Sequence, residues 1–395
     1  MDISAINRVE NRERTAIVVV GYNRVESISR LLDSLLHASY KCENVPLVIS
    51  IDASGNEELY DKMRSFEWPH GDLYVRIQNE RLGLKNHIFS CLDMSQYFRG
   101  VILLEDDLVV APAFYNYTLA ALDAYEQEDK VCGVALYGAT RNGYAGLPFM
   151  PMQNGCDVYL YQDVCTWGEC LTYAMWSNFR KWLVDNEQRS YEELEMPVSI
   201  KQWKRAWSKY YYAYMVESNK AFITPYISYT TNFGEIGEHG SMVTNVAQVP
   251  LQWGMKRHFS MLPLEQLVTY DAYSNNTALY EALGLSKEEL TLDLYSNNDF
   301  YMHRRFVLTT RSLPCKIVRE FALSFYPIEV NVLQGVNGRG IRLYDTTEKA
   351  AQGSVMKQQF QYLSYYFGLY NPWLLLRYMI VYCFRTLCRK LRLKR

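Results

Sequence analysis

What this sequence lacks narrows it quickly. Glycine (21) and proline (12) are too sparse in 395 residues for a collagen-like or linker-dominated chain. With 49% hydrophobic and 21% charged residues, it is not a disordered one either. The net charge of −2 leaves no general basic excess, which argues against nucleic acid as a partner. The nine cysteines are odd in number and irregular in spacing. Neither Cys165/Cys170 nor Cys383/Cys388 makes a CxxC, so neither a zinc site nor a disulfide framework is expected. Residues 1–14 are polar, without the apolar stretch of a secretory leader, and the reading is reduced thiols in a cytoplasmic protein. Neither GxxxxGK[ST] nor a GxGxxG after a strand occurs. There is no internal repeat.

The chain is long enough for two or three packed regions. Thr15 to Gly21 (TAIVVVG) is a β-branched run with the pattern of a strand buried on both faces. In the following VESISRLLDSLL, Ile28, Leu31, Leu32, Leu35 and Leu36 share one helical stripe. Strands over 46–52, 72–78 and 101–104 and helices over 56–66 and 84–98 complete four β-then-α repeats. The fold class expected is α/β, a Rossmann-like, mostly parallel sheet with flanking helices and a C-terminal, mainly helical extension. Ligands of such sheets bind beyond the carboxyl ends of the strands. The expected division is 1–130, 131–255, 256–370 and 371–395. Between 260 and 350 the pattern is weak, with a Ser286/Glu289 capping box as its clearest signal.

The chemistry collects at the strand ends. VILLEDDLVVAPAFY delivers Glu105, Asp106 and Asp107 together, and adjacent carboxylates need a cation or partner. Hard oxygen ligands there suit Mg²⁺ or Mn²⁺ bridging a diphosphate. The first strand ends in VVVGYNRVES, with Gly21 at the turn and Arg24 placed for a phosphate. Asp52, in ISIDAS, is placed either to receive hydrogen bonds from a base or ribose or to cap a helix. Tyrosine (33) and tryptophan (8) supply faces that stack on sugars, although core packing accounts for most of them.

The succession VVVGYNR, ISIDAS, NERLGLKNHI and LLEDDLVVAPAFY resembles the nucleotide-sugar half of GT-A glycosyltransferases. It is closest to the clan of glycosyltransferase family 2 and the β-1,2-N-acetylglucosaminyltransferases, in its bacterial form. The similarity runs over roughly 14–245, ending in YISYTTNFGEIGEHGS. It implies a donor site of Gly21, Tyr22, Arg24, Asp52, Arg81, Lys85, Glu105, Asp106 and His239, with the metal on Asp107 and His239. Arg24 would touch the diphosphate, Asp52 the base, and Glu105 and Asp106 the ribose and donor sugar. The family's aspartate after a tryptophan is missing, since RAWSKYYYAY places Ser208 and Lys209 there. Glu169, after Trp167–Gly168 as in galactosyltransferases, is the favoured catalytic base and Glu238 the alternative. Trp167, Trp203, Trp207 and Tyr210–Tyr212 are candidate acceptor platforms. The function implied is an inverting transfer from a UDP-sugar to a glycan acceptor, one carried on polyprenyl diphosphate in surface-polysaccharide assembly. The rivals are an inert relative that binds nucleotide or glycan and a sugar nucleotidyltransferase, whose Gly-rich basic loop is absent.

Residues 371–395 hold seven Lys/Arg and no acid, leaving −9 on the rest. Their apolar run is too short to span a bilayer. The expectation is a basic amphipathic helix, with Arg377, Arg385, Arg389 and Arg392 on one arc and Leu374, Ile380, Val381, Phe384, Leu387 and Leu391 opposite. Such a helix lies on the cytoplasmic face of an anionic inner membrane.

Overall fold

The structure, a computed structural model, describes residues 6, 9–41, 44–204, 206–235, 245, 247–368 and 370–392. In chain order the elements begin with β1 (Thr15–Gly21), α1 (Val25–Leu36), β2 (Leu47–Ile51), α2 (Glu57–Arg64), β3 (Leu73–Ile77), α3 (Gly83–Leu92) and β4 (Gly100–Glu105). There follow β5 (Leu108–Val110), α4 (Phe114–Tyr125), β6 (Val131–Ala135) and two short strands, β7 (Arg141–Asn142) and β8 (Leu147–Pro148). Next come β9 (Val158–Tyr161), β10 (Glu169–Thr172), α5 (Tyr173–Asn186), α6 (Val198–Lys201), α7 (Ser208–Glu217), β11 (Ala221–Pro225), β12 (Thr230–Asn232) and β13 (Thr269–Tyr270). The last stretch holds α8 (Ala278–Leu283), β14 (Leu290–Asp293), β15 (Phe306–Thr309), β16 (Cys315–Phe321), α9 (Val330–Leu333), β17 (Ile341–Lys349), α10 (Val355–Phe367) and α11 (Pro372–Arg392).

Two compact units form. One comprises Met1–Tyr144, Phe149–Ala278 and Asn297–Asp299, the other Ala145–Pro148, Leu279–Ser296 and Phe300–Arg395. The first is built on a nine-stranded sheet of order β13-β9-β11-β6-β10-β4-β1-β2-β3. Its β3, β2, β1 and β4 run parallel. Every residue of β1 and β2 is buried, as continuous β-branched runs require when helices cover both faces. Helix α1 turns Ile28, Leu31, Leu32 and Leu35 onto the sheet. The helix expected over 84–98 ends at Leu92 and continues as a tighter turn, Asp93–Tyr97.

One strand decides the site. β10 is antiparallel to both β4 and β6, so it starts at the edge where β4 ends. Glu169, its first residue, lies opposite Leu103, and Glu105 is two residues further along β4. Side chains two apart on a strand share a face, so Glu169 and Glu105 emerge on the same side of the sheet.

The second unit holds a four-stranded sheet, β14-β15-β17-β16, across the region of weak pattern, followed by the two C-terminal helices. The Ser286/Glu289 pattern closes a turn rather than a helix. A Glu289 side-chain oxygen accepts from the Ser286 N–H at 3.1 Å, and the chain passes directly into β14. Helix α11 forms where expected, but its apolar residues are not confined to the face opposite the arginines. Leu374 is three residues and Val381 four residues from Arg377, the spacing of same-face neighbours. No helix among the described residues is long and apolar enough to cross a membrane. The eight described cysteines are free.

Close packing within the large sheet gives one direct test. A Cβ at Gly133 on β6 would stand 2.3 Å from the Phe222 ring of the neighbouring β11, both residues being buried. Gly133→Ala should therefore lower stability by about 1–3 kcal/mol in denaturant unfolding.

Candidate functional site

The parallel strands end at one edge, and the residues singled out above collect there. Gly21 closes β1 in tight quarters, since a Cβ there would meet Ile28 and Ile51 side chains at 3.0 Å. Three residues on, the Arg24 guanidinium reaches over the end of β4. It donates to both oxygens of Asp106, with Nε at 3.3 Å from one of them, and from Nη1 to Asp107 at 3.4 Å. Burial pushes the Asp106 carboxyl up to about 6, against the pull of Arg24's hydrogen bonds. Glu105 rises to about 8, through burial first and then the charges of Asp107 and Asp106. The triplet thus settles its repulsion in two ways. Glu105 keeps its proton at neutral pH, and Arg24 compensates the other two.

Glu169 reaches this edge through a turn only glycine permits. Gly168 has φ of +99°, and a Cβ there would lie 2.9 Å from Thr230 Cγ2. Thr230 Oγ1 donates to the Trp167 carbonyl at 2.5 Å and fixes the turn. The Glu169 side chain is buried, and neither carboxyl oxygen has a hydrogen-bond partner among the described residues. Burial, then the Glu105 charge, raises its pKa well above the ordinary carboxyl value.

Asp52, at the end of β2, is buried and receives backbone N–H groups from Leu82 at 2.8 Å, Gly83 at 2.9 Å and Ala53 at 2.9 Å. The helix-capping alternative describes its geometry, and the helix is α3. Beyond α3's start lies an open groove of 1270 Å³, lined by Arg81, Gly83, Lys85, Trp203, Lys204, Ser208 and Tyr210 among others. The Arg81 guanidinium stacks over Tyr22 at 4.6 Å. Lys85 pairs with Glu187 and faces the Tyr210 ring at 4.7 Å. Among the acceptor platforms, Trp203 and Tyr210 therefore line a groove. Trp207, Tyr211 and Tyr212 are core residues, with the Tyr211 hydroxyl on the Cys132 carbonyl and that of Tyr212 on the Ala272 carbonyl. Trp167 packs against Tyr137. Lys209 points to the Lys201 carbonyl at 2.5 Å.

Glu238 and His239 lie outside the described residues. The chain leading to them is held firmly. Phe233 N–H donates to the Asp107 carbonyl at 2.8 Å, and Glu235 accepts from Ser27 and from Arg30 at 2.6 Å. Arg30 also covers the Phe233 ring at 3.7 Å. The sequence reading missed Glu235, whose place within GEIGEHGS was its only signal. Its partner Ser27 is 208 residues away.

Among the described residues no three His, Cys, Asp or Glu side chains converge as a metal cage. Asp107 fits a hard cation in kind, being a partly exposed carboxylate.

No family model matches the chain, and no curated protein matches it. Solved structures match parts of the chain. S. aureus TarS 1–349 in complex with UDP-GlcNAc aligns at 16% identity over 57% of this chain and 60% of that one, TM-score 0.37. The Pyrobaculum calidifontis mannosyltransferase PcManGT, in complex with GDP-Man and Mn²⁺, aligns at 14% identity over 54% and 55%, TM-score 0.33. GalNAc-T7 with UDP, GalNAc and Mn²⁺ aligns at 14% identity over 55% and 43%, TM-score 0.39. The chain thus spans less than two thirds of each of these structures.

The buried Glu169 carboxyl makes stability depend on pH. The folded protein keeps a proton that the unfolded chain releases near pH 4.3, so this group costs more stability as pH rises above that value. Glu169→Gln removes the dependence. The variant should gain on the wild type as pH rises above about 4.3, over the range in which the folded protein still holds the proton. A pH-independent difference in unfolding free energy would contradict the burial argument.

Proposed function

We propose that this chain is a GT-A glycosyltransferase, moving one sugar from a nucleotide diphosphate donor, a UDP-sugar by preference, onto a glycan acceptor with inversion. One observation carries the reading: Arg24 and the Glu105–Asp107 triplet meet at the carboxyl edge of a parallel sheet, with the unpartnered Glu169 carboxyl beside them. A guanidinium, two carboxylates and two buried carboxyl groups around one strand end support a diphosphate-handling site there. The groove bearing Arg81, Lys85, Trp203 and Tyr210 supports it by offering positive charge and flat aromatic faces to a nucleotide and a sugar.

In this scheme Arg24 gives up part of its contact with Asp106 and Asp107 to take the donor's phosphate oxygens. Protonated Glu105 donates a hydrogen bond to a donor hydroxyl. The acceptor hydroxyl attacks the anomeric carbon as the bond to the diphosphate breaks, and its proton passes to ionised Glu169. Burial makes ionised Glu169 a strong base for the same reason that it raises the pKa, so turnover rises with pH as the group ionises. Asp107 would hold Mn²⁺ or Mg²⁺, whose charge would then stabilise a departing diphosphate. The basic tail would hold the enzyme on the cytoplasmic face of an anionic membrane, near a polyprenyl-diphosphate-linked acceptor.

Screening nucleotide-sugars for donor hydrolysis tests the activity. Binding in calorimetry without turnover on any donor, acceptor or metal would identify an inert relative instead. Asp107→Ala should abolish metal-stimulated turnover at an unchanged melting temperature, and unaltered turnover would remove the metal assignment. Glu169→Gln should lower kcat by about 10²–10⁴ with little change in donor affinity. A mild effect would move the role of base to Glu238.

A further inference from the structure

We infer that the surface meeting the membrane is built from two helices, the outward apolar stripe of α10 together with the apolar first half of α11. This rests on the proposed membrane attachment and changes what performs it: apolar insertion by both helices, with the tail's basic residues as its anionic-lipid selector.

Helix α10 is ordered by its own ends and inner side. Ser354 caps it by accepting from the Lys357 N–H at 3.3 Å. Gln358, Tyr362 and Tyr366 are buried, with Gln358 donating to the Gly340 carbonyl at 2.7 Å. The Tyr365 hydroxyl donates to the Phe325 carbonyl at 2.6 Å, and its ring stacks on Tyr326 at 4.4 Å. That leaves Met356, Phe360, Leu363 and Phe367 facing outward. Their spacing of four, three and four residues places them within an arc of about 60°. Met356 is 81% and Phe360 72% exposed. A stripe of four large apolar side chains on a helix whose other side is anchored is, among the described residues, a face without a partner.

Helix α11 follows five residues later, and its polarity divides along its length. Residues 372–384 carry a single charge, Arg377, and expose Trp373, Leu374, Leu376, Met379, Ile380 and Phe384 among others. The other six basic residues of the tail fall at 385–395. Thirteen residues of helix reach about 20 Å, short of the roughly 30 Å hydrocarbon core, so this half can lie in one leaflet but not cross two.

Charge chooses the occupant. After Glu348 the sequence has no acid and nine Lys/Arg. A second copy would bring a second set of nine positive charges to the interface, whereas anionic lipid headgroups neutralise them. The partner of this surface is therefore an anionic bilayer.

Flotation of the full chain with vesicles of phosphatidylcholine, with and without phosphatidylglycerol, provides the test. Three proteins are compared: the wild type, the triple variant Met356→Gln, Phe360→Gln, Leu363→Gln, and a deletion of 371–395. The triple variant should lose about tenfold or more in partitioning to anionic vesicles although every basic residue remains. Its melting temperature should match the wild type, because the replaced side chains are exposed. The deletion should also lose binding, leaving α10 short of its partner helix. A triple variant that binds as well as the wild type, while the deletion does not bind, would overturn the two-helix surface and leave tail attachment standing. No vesicle binding by the wild type would overturn both. Concentration-dependent self-association in light scattering, abolished by the triple variant while vesicle binding stays unchanged, would assign the stripe to a second copy.

Discussion

The carboxyl edge of the parallel sheet depends on one guanidinium. Three consecutive acids stand at the end of a buried strand, the first of them its last residue, and their mutual repulsion at that spot has to be compensated within the fold. Arg24 does this for Asp106 and Asp107, while Glu105 avoids the problem by holding its proton. From that settlement the surroundings follow. The Asp107 carbonyl is free to receive Phe233, which draws β12 alongside β5 and starts the glycine-rich segment next to the acids. A polyanion arriving here meets an arginine already in place. On the proposed reading, its entry would be an exchange of ionic partners rather than the creation of a new buried charge.

Glu169 presents the opposite case, a carboxyl left without compensation. A buried acid with no hydrogen bond is costly, and proteins keep such groups mostly where function requires them. Here the cost falls on a residue delivered by a glycine that admits no side chain. The turn and the acid therefore belong to one arrangement: Gly168 brings the chain close to Thr230, and β10 then starts with its first side chain turned toward Glu105.

Much of the first hundred residues could be read before any coordinates, because a parallel sheet covered on both faces writes itself as uninterrupted β-branched runs separated by helical stripes. The acidic triplet was legible for the same reason, as charges ending an apolar strand. What escaped depends on distance along the chain. The partners of Arg24 stand 82 and 83 residues away and that of Ser27 stands 208 away, so composition and periodicity carry no trace of them. The small sheet of the second unit also escaped. β16 exposes four consecutive residues, Lys316 to Arg319, and so lacks the alternation that marks a strand. Asp52 was ambiguous in sequence because capping and ligand binding use the same carboxylate, and only the three backbone N–H groups on it reveal its resting occupation.

The lengthwise division of α11 has a consequence for its thermodynamics. Nearly all of its described residues fall in the exposed class, so among the described residues it has little of the tertiary packing from which most helices in proteins draw their stability. An amphiphilic medium that takes up Trp373, Ile380 and Phe384 would offset the conformational entropy of ordering them. On the proposed attachment, lipid would behave toward this segment as a ligand does toward a weakly folded receptor, with adsorption and helix content rising and melting together.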